Sequence, residues 1–378
     1  MGMVIEADYI VLGAGMYGLY ASQLLVQNGY KTVVLEYDED SFSRASYINQ
    51  ARVHRGYHYP RSYATAMKSA SYFRRFYEDF HFAISSKLTK IYGIAQHYSM
   101  TNSKQFKSFC EKAGIPCREV ATQTYYKPHL VEQAFLTEEY VLDAKCIKDY
   151  FHEKLRETKR CSIHYQVGLK DVTIKGKKYH IKTDDGHVFI APQVINTTYA
   201  SVNQVLKKFH VDPFPIRYEM SEIILCQVKN LYKDLGLTLM DGPFFSIMPF
   251  GFSGYHSLTS VTFTHHKACY EALPTFQCQQ HNPLCTMEQL ANCNTCSARP
   301  KSFYNSMKQM ANKFLAMDMG IQYKTSLFAI KPLLETSKMD DARPTIIKID
   351  GDQQRGPTLM TVLSGKINTV YDLKKVIE

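Results

Sequence analysis

The stretch Asp8-Tyr-Ile-Val-Leu-Gly-Ala-Gly-Met-Tyr-Gly-Leu-Tyr-Ala-Ser22, continued to Glu36, decides how the rest of the chain is read. Tyr9 to Leu12 is a short apolar run of the kind that forms a buried strand, and Gly13, Gly15 and Gly18 follow it as G-x-G-x-x-G. Tyr17, Ala21, Leu24 and Asn28 then recur at helical spacing, with Gly29 where a helix stop belongs. Thr32 to Leu35 is a second apolar, β-branched run and ends at Glu36. This is a βαβ unit with an acid about twenty residues beyond the glycines. Gly13 permits the turn out of the strand, Gly15 lets a pyrophosphate approach the backbone, and Gly18 lets the helix pack close to the sheet. The helix N-terminus presents unpaired N–H groups and partial positive charge to phosphates. Glu36 can accept both hydroxyls of a ribose, and the neighbouring Asp38, Glu39 and Asp40 argue against a 2′-phosphate. The unit predicts dinucleotide binding; by itself it does not separate NAD from FAD.

The chain has 378 residues, enough for two cores, and 45% are hydrophobic, which excludes a disordered polymer. No apolar run approaches the ~18 residues of a membrane span, and Met1 to Tyr9 shows no secretory pattern. The expectation is a soluble, cytoplasmic protein whose ten cysteines are mostly reduced. The net charge of +10 reads first as a solvated basic surface and second as attraction for an anionic substrate. No dense basic tract with interleaved aromatics suggests nucleic acid. The oligomeric state is open.

Beyond Glu36, helices are expected at Tyr63 to Phe80, Ser103 to Ala113, Ala144 to Glu157, Ser302 to Met317 and Asn368 to Ile377. Strands are expected at Ile91 to His97, Ser162 to Val167, Gln193 to Asn196 and Thr358 to Val362. A hairpin turns at Asp184-Asp185-Gly186. Glu219 to Val228 and Tyr255 to His266 read as long alternating strands of a second, antiparallel sheet. In the latter, His256, Leu258, Ser260, Thr262, Thr264 and His266 share the more polar face, which is either a substrate wall or a solvent face. Ala268 to Pro300 is irregular and cysteine-rich.

Four stretches together resemble the D-amino-acid oxidase-like superfamily of FAD-dependent oxidoreductases. They are the βαβ unit with Glu36; Arg44-Ala-Ser46 through Asn49-Gln-Ala-Arg-Val-His54-Arg-Gly56-Tyr-His-Tyr59; Val194-Ile-Asn-Thr-Thr198; and Arg343-Pro344 with Ser364-Gly-Lys-Ile-Asn-Thr369. Val-His-x-Gly-x-x-Tyr is similar to segments of L-2-hydroxyglutarate oxidases, and the last pair is similar to segments of glycerol-3-phosphate dehydrogenases. Thr197, Thr198 and Tyr199 stand where that family usually has small residues or glycine.

The resemblance implies an α/β fold: a discontinuous Rossmann-like FAD-binding domain (1–80, 141–215 and 325–378) and an α+β substrate domain on an antiparallel sheet (81–140 and 216–324, with the insertion 268–300). It implies FAD as cofactor. Gly13, Gly15 and Gly18 would cradle the pyrophosphate and Glu36 would hold the ribose. Arg44, Ser46, Asn49, Gln50 and Arg52 would line the ribityl chain and ring. Val167 would meet adenine, and Gly365, Lys366, Ile367 and Asn368 would sit at flavin N1 and O2. A helix N-terminus and the Lys366 ammonium there would stabilise the negative charge of the reduced ring.

The resemblance also implies transfer of hydride from a C–N or C–O carbon of a small anionic substrate to flavin N5. Oxygen or another acceptor would then take the electrons. Arg343 is the candidate clamp for a carboxylate or phosphate, a planar fork suiting both; its structural alternative is an ion pair with Asp340 or Asp341. His54 is the candidate base. The Cys278, Cys285, Cys293 and Cys296 spacing could suit zinc, but with one Cys-x-x-Cys pair the expectation is free thiols and no metal. Against an oxidoreductase stands a non-catalytic FAD-binding subunit.

Overall fold

The computed structural model describes residues 2–335, 342–352 and 354–377. The opening motif folds as expected: strand Tyr9–Leu12, helix Met16–Gln27 and strand Thr32–Leu35. Gly29 closes the helix at φ +85°. These strands lie in a six-stranded sheet in the order Cys161–His164, Thr32–Leu35, Tyr9–Leu12, Gln193–Asn196, Thr358–Leu363, Ile346–Asp350. The first five are parallel and the last is antiparallel.

Alternation along these strands explains why they read as unbroken apolar runs. Val11, Val34, Ile195 and Val362 bury into a core with helices Met16–Gln27, Tyr63–Phe80 and Ala144–Thr158. Ile10, Leu12, Val33, Val194 and Leu359 bury on the opposite face, against a four-stranded sheet containing Ile181 and Phe189. A parallel sheet covered on both faces needs apolar residues at every position.

The second large sheet has nine strands. Its spine is Ile216–Gln227, paired antiparallel along its length with Gln322–Leu334. A three-stranded sheet pairs Arg52–Val53 and Ile84–Ser85 with Tyr140–Leu142, so the segment after Glu36 is stitched to chain nearly ninety residues away.

Two expectations need correction. Tyr255 to His266 is not one strand: His256–Ser260 is followed by a helical turn, Val261–Thr264, and a second strand, His265–Cys269. The Thr264 hydroxyl accepts the Ser260 N–H at 3.0 Å and closes that turn, which breaks the alternation across it. His256 consequently points to the Leu235 carbonyl and His266 to Glu222. The expected C-terminal helix is a 3₁₀ segment, Ile367–Leu373, followed by one α-helical turn, Lys374–Ile377. The Thr369 hydroxyl donates to the Lys366 carbonyl at 2.8 Å and tightens the first turn. No helix among the described residues is long and apolar enough to cross a membrane.

Candidate functional site

The central strand Gln193–Asn196 has Tyr9–Leu12 on one side and Thr358–Leu363 on the other, all three parallel. The glycine turn and the Gly365-Lys366 turn therefore leave the same edge of one sheet. They also touch: the Tyr17 hydroxyl donates to the Lys366 carbonyl at 2.7 Å and lies 2.9 Å from the Thr369 hydroxyl. A cavity of about 970 Å³ runs along this edge, at the upper end of small-molecule sites. Gly13, Gly15, Glu36, Arg44, Ser46, Asn49, Gln50, Arg52, His54, Val167, Arg343, Gly365, Lys366 and Ile367 all line it.

Gly18 and Asn368 do not line it. Gly18 lies in the helix beneath, where an added Cβ would strike the Gly13 carbonyl oxygen; its task is packing. Asn368 is fully buried and spends its amide on the His54 and Ser69 carbonyls, both at 3.1 Å. Gly13 has φ +96°, a conformation that favours glycine.

At the Glu36 end the polar groups are already engaged. Glu36 accepts the Ala14 N–H at 2.6 Å and the Asp38 N–H at 2.9 Å, while burial raises its pKa. Arg44 grips Asp38 through two bonds of 2.8 and 2.7 Å and donates to the Leu290 carbonyl at 3.0 Å. Ser46 Oγ accepts the Met16 N–H at 2.9 Å. The Asn49 amide closes its own loop onto the Ser46 carbonyl and the Ala51 N–H. Val167 gives its N–H to the Glu36 carbonyl at 2.9 Å. Thr197 hydrogen-bonds the Leu12 carbonyl at 2.8 Å and ties the crossing strand to the glycine turn.

The other end is held by a buried ionic network. Arg52 donates to the Tyr92 hydroxyl at 2.9 Å and to Ser246 Oγ at 2.7 Å, and lies 3.5 Å from Glu139. The Tyr92 hydroxyl donates to Glu139 at 2.7 Å. Burial would raise the Glu139 pKa, but Arg52, His54 and Lys90 outweigh it and hold the carboxyl well below its usual range. His54 Nδ1 stands 3.4 Å from Glu139, at ion-pair distance. Burial, reinforced by Lys366, lowers the His54 pKa to about 3, so its imidazole is neutral at pH 7.

Gln50 bonds Thr259 at 2.8 Å and joins this segment to the nine-stranded sheet. The cavity wall on that side is Thr259, Ser260, Val261, Thr264 and His265. It mixes both expected faces of the broken strand.

Four cations in the wall have no carboxylate partner among the described residues: Lys208, Lys331, Arg343 and Lys366. The Lys366 ammonium sits 4.4 Å over the Tyr59 ring, and burial lowers its pKa to about 7. Lys331, directly across the sheet from Glu219, is lowered to about 8 by burial and then by Arg343. Among the described residues, the Arg343 side chain donates only to the Ala342 carbonyl, at 3.0 Å. Asp340 and Asp341, the expected alternative partners, lie outside the described residues.

Glu139, Tyr92, Lys90 and Lys331 escaped the sequence reading because strand pairing across long separations brings them in. One available clue was a charged residue, Lys331, inside the apolar run Leu327 to Leu334.

The chemistry of the walls fits FAD. One elongated space joins an acid-anchored glycine turn to an unpaired ammonium, and the buried His58 Nδ1 and Ser260 Oγ on its wall have no partner among the described residues. This is the fold and cavity of a flavin-binding protein. Residues 8–255 match the family model described as DAO, FAD dependent oxidoreductase, and the chain belongs to that family.

A curated relative, FAD-dependent monooxygenase FPY4 of Fusarium mangiferae, is 25% identical over 260 residues, 67% of this chain and 64% of that protein. The match thus spans less than two-thirds of that relative's length. The fold is shared with glycine oxidase from Geobacillus kaustophilus (TM-score 0.72, 10% identity, 99% of this chain and 93% of that one). It is also shared with NikD, an unusual amino acid oxidase (TM-score 0.71, 11% identity, 99% and 93%). FAD-bound L-α-glycerophosphate oxidase from Mycoplasma pneumoniae is a further match (TM-score 0.69, 10% identity, 98% and 93%).

Proposed function

We propose that the chain is an FAD-dependent oxidoreductase that removes hydride from a C–N or C–O carbon of a small anionic substrate. Oxygen or another acceptor would take the electrons. The carrying observation is that Lys331, Lys366 and Arg343, in the wall of one cavity, have no carboxylate partner among the described residues. Unpaired charge in a low-dielectric site costs several kcal/mol unless a ligand of opposite sign completes it, and the cofactor's phosphates belong at the other end.

In this reading the stretches 1–80, 141–215 and 325–378 carry the flavin, and 81–140 and 216–324 carry the substrate. Gly13 and Gly15 receive the pyrophosphate, with Gly18 keeping the helix close. Glu36 receives the ribose and the Val167 carbonyl faces adenine. Ser46, Asn49 and Gln50 shape the wall along the middle. FAD, when bound, supplies the hydride acceptor at N5. Arg343 and Lys331 hold the substrate anion and fix its orientation. Neutral His54, with Nδ1 turned to Glu139, offers Nε2 to a substrate hydroxyl or amine proton. Lys366 places positive charge, and Gly365 and Ile367 the adjoining backbone, beside the ring.

Anaerobic addition of a panel of amino acids and hydroxy acids tests this. Loss of the flavin absorbance with an anionic member supports it. No loss with any member, alongside ready reduction by dithionite, favours the non-catalytic subunit. The monooxygenase relative makes oxygen insertion a second reading, told apart by labelled oxygen in the product.

A further inference from the structure

The chain between Cys269 and Tyr304 lies beyond the residues that match the family model, which end at 255, and its one regular element is the 3₁₀ turn Gln277–His281. Without ladder bonds, other hydrogen bonds must set its place. Its entry is pinned at Ala272, whose carbonyl accepts the Asn203 amide at 2.9 Å and the Tyr218 hydroxyl at 3.0 Å. Further along, Leu290 roots it in the core: this side chain is wholly buried, in one cluster with Leu12, Leu35 and Val167.

The short run from Met287 to Asn292 is hooked to two different walls of the large cavity. On one side stands the helix Val202–Lys208. Its Gln204 donates to the Met287 carbonyl at 2.8 Å and accepts the Leu290 N–H at 3.4 Å, and its Lys207 pairs with Glu288 at 2.5 Å. On the other side stands the segment after Glu36. There Arg44 donates to the Leu290 carbonyl at 3.0 Å, and the Asn292 amide donates to Asp38 and to the Ser43 carbonyl, both at 3.1 Å. Gln204, Asp38, Ser43, Arg44, Leu290 and Asn292 all line the cavity. The run therefore bridges the cavity's Glu36 end from wall to wall. Asn294 braces it from outside. Its amide donates to Asn292 Oδ1 at 2.9 Å and to the Phe328 carbonyl at 3.1 Å, and its Oδ1 accepts the Phe328 N–H at 2.8 Å.

We propose, on the functional reading above, that residues 287–292 belong to the cofactor site as a strap over its adenosine half, which unhooks for FAD to enter or leave. The hooks are separate hydrogen bonds and one ion pair, not a strand ladder, so the strap opens without unfolding either large sheet. When it lifts, Arg44 keeps both of its bonds to Asp38, and Glu36 keeps its two backbone N–H donors. The socket beneath thus holds its shape while the cover moves.

The test measures two rates by flavin fluorescence: FAD release from the holoenzyme, and FAD uptake by the full-length protein after the cofactor is stripped. Asn292→Ala removes a hook. Asn294→Ala removes the brace, at a residue that does not line the cavity. Each should speed both release and uptake by about 5- to 100-fold, the range for losing two such bonds. Opening is common to both directions, so a strap governs both rates, whereas a side chain that only touches the ligand governs release alone. Asn102→Ala, which uncaps the distant helix Ser103–Ala113, should change neither. Wild-type rates in both folded variants overturn the strap, and so does faster release with unchanged uptake. Protein that takes up no FAD overturns the cofactor assignment and the strap together. Neither rate requires a substrate to be turned over, so failure of the proposed activity leaves the strap standing.

Discussion

The two ends of the large cavity are built on opposite plans. At the Glu36 end the charges of the dinucleotide motif have partners within the chain: Arg44 on Asp38, and Glu36 on two backbone N–H groups. At the Lys366 end, Lys331, Lys366 and Arg343 face the cavity without a carboxylate partner among the described residues. The paired end is a preformed socket, which positions a ligand at little cost in reorganisation. In the function proposed above, the unpaired end is where an anionic ligand would relieve unfavourable electrostatics.

The largest effect expected at the unpaired end concerns its foundation. Glu139→Ala leaves Arg52 buried without its carboxylate, both side chains being wholly buried. Stability should fall by about 3–5 kcal/mol, read as a drop in Tm. A small loss would mean that the network is not what holds this end together. Next is Arg343→Ala, which removes a charged anchor worth about 1.5–3 kcal/mol. KM for an anionic substrate should rise by about 10- to 100-fold with kcat nearly unchanged. A fall in kcat at constant KM would instead place Arg343 at the chemistry.

The pH dependence sharpens the contrast. Lys331 is charged below about pH 8 and loses its proton above it. Since kcat/KM reports groups of the free enzyme, it should fall for an anionic substrate in two steps as pH rises, near 7 as Lys366 loses its proton and near 8 as Lys331 does. Lys331→Met should remove the step near 8 and leave the one near 7. At the paired end, Arg44→Ala should cost least. Asp38, 8% exposed, keeps the Asn292 amide when the arginine goes, so about 1–2 kcal/mol is expected, seen as modestly faster FAD release.

The same contrast explains what the sequence disclosed. The paired end is local: strand, glycine turn, helix, strand and acid follow one another within thirty residues, and each has its own pattern. The helices Tyr63–Phe80 and Ser103–Ala113 were likewise legible to the residue. The latter is bounded by a capping box between Asn102 and Gln105 and by Gly114 at φ +63°. The unpaired end is assembled by strand pairing across the chain. His54 meets Glu139 because Arg52–Val53 pairs with Tyr140–Leu142, and Lys331 meets the cavity through the pairing of Ile216–Gln227 with Gln322–Leu334. No periodicity within a window carries such information. The misread strand at Tyr255 to His266 failed for a related reason. Its alternation runs through Val261–Thr264, and only the tertiary bond from the Val261 N–H to the Phe244 carbonyl, at 2.9 Å, and the Thr264 hydroxyl reveal the turn.

The central claim is that one FAD lies full length between the glycine turn and the Lys366 turn. The most direct measurement is the visible spectrum of freshly purified protein, with the released cofactor identified and counted after denaturation. Stoichiometric FAD is the predicted result. Colourless protein that takes up no FAD on reconstitution would contradict it.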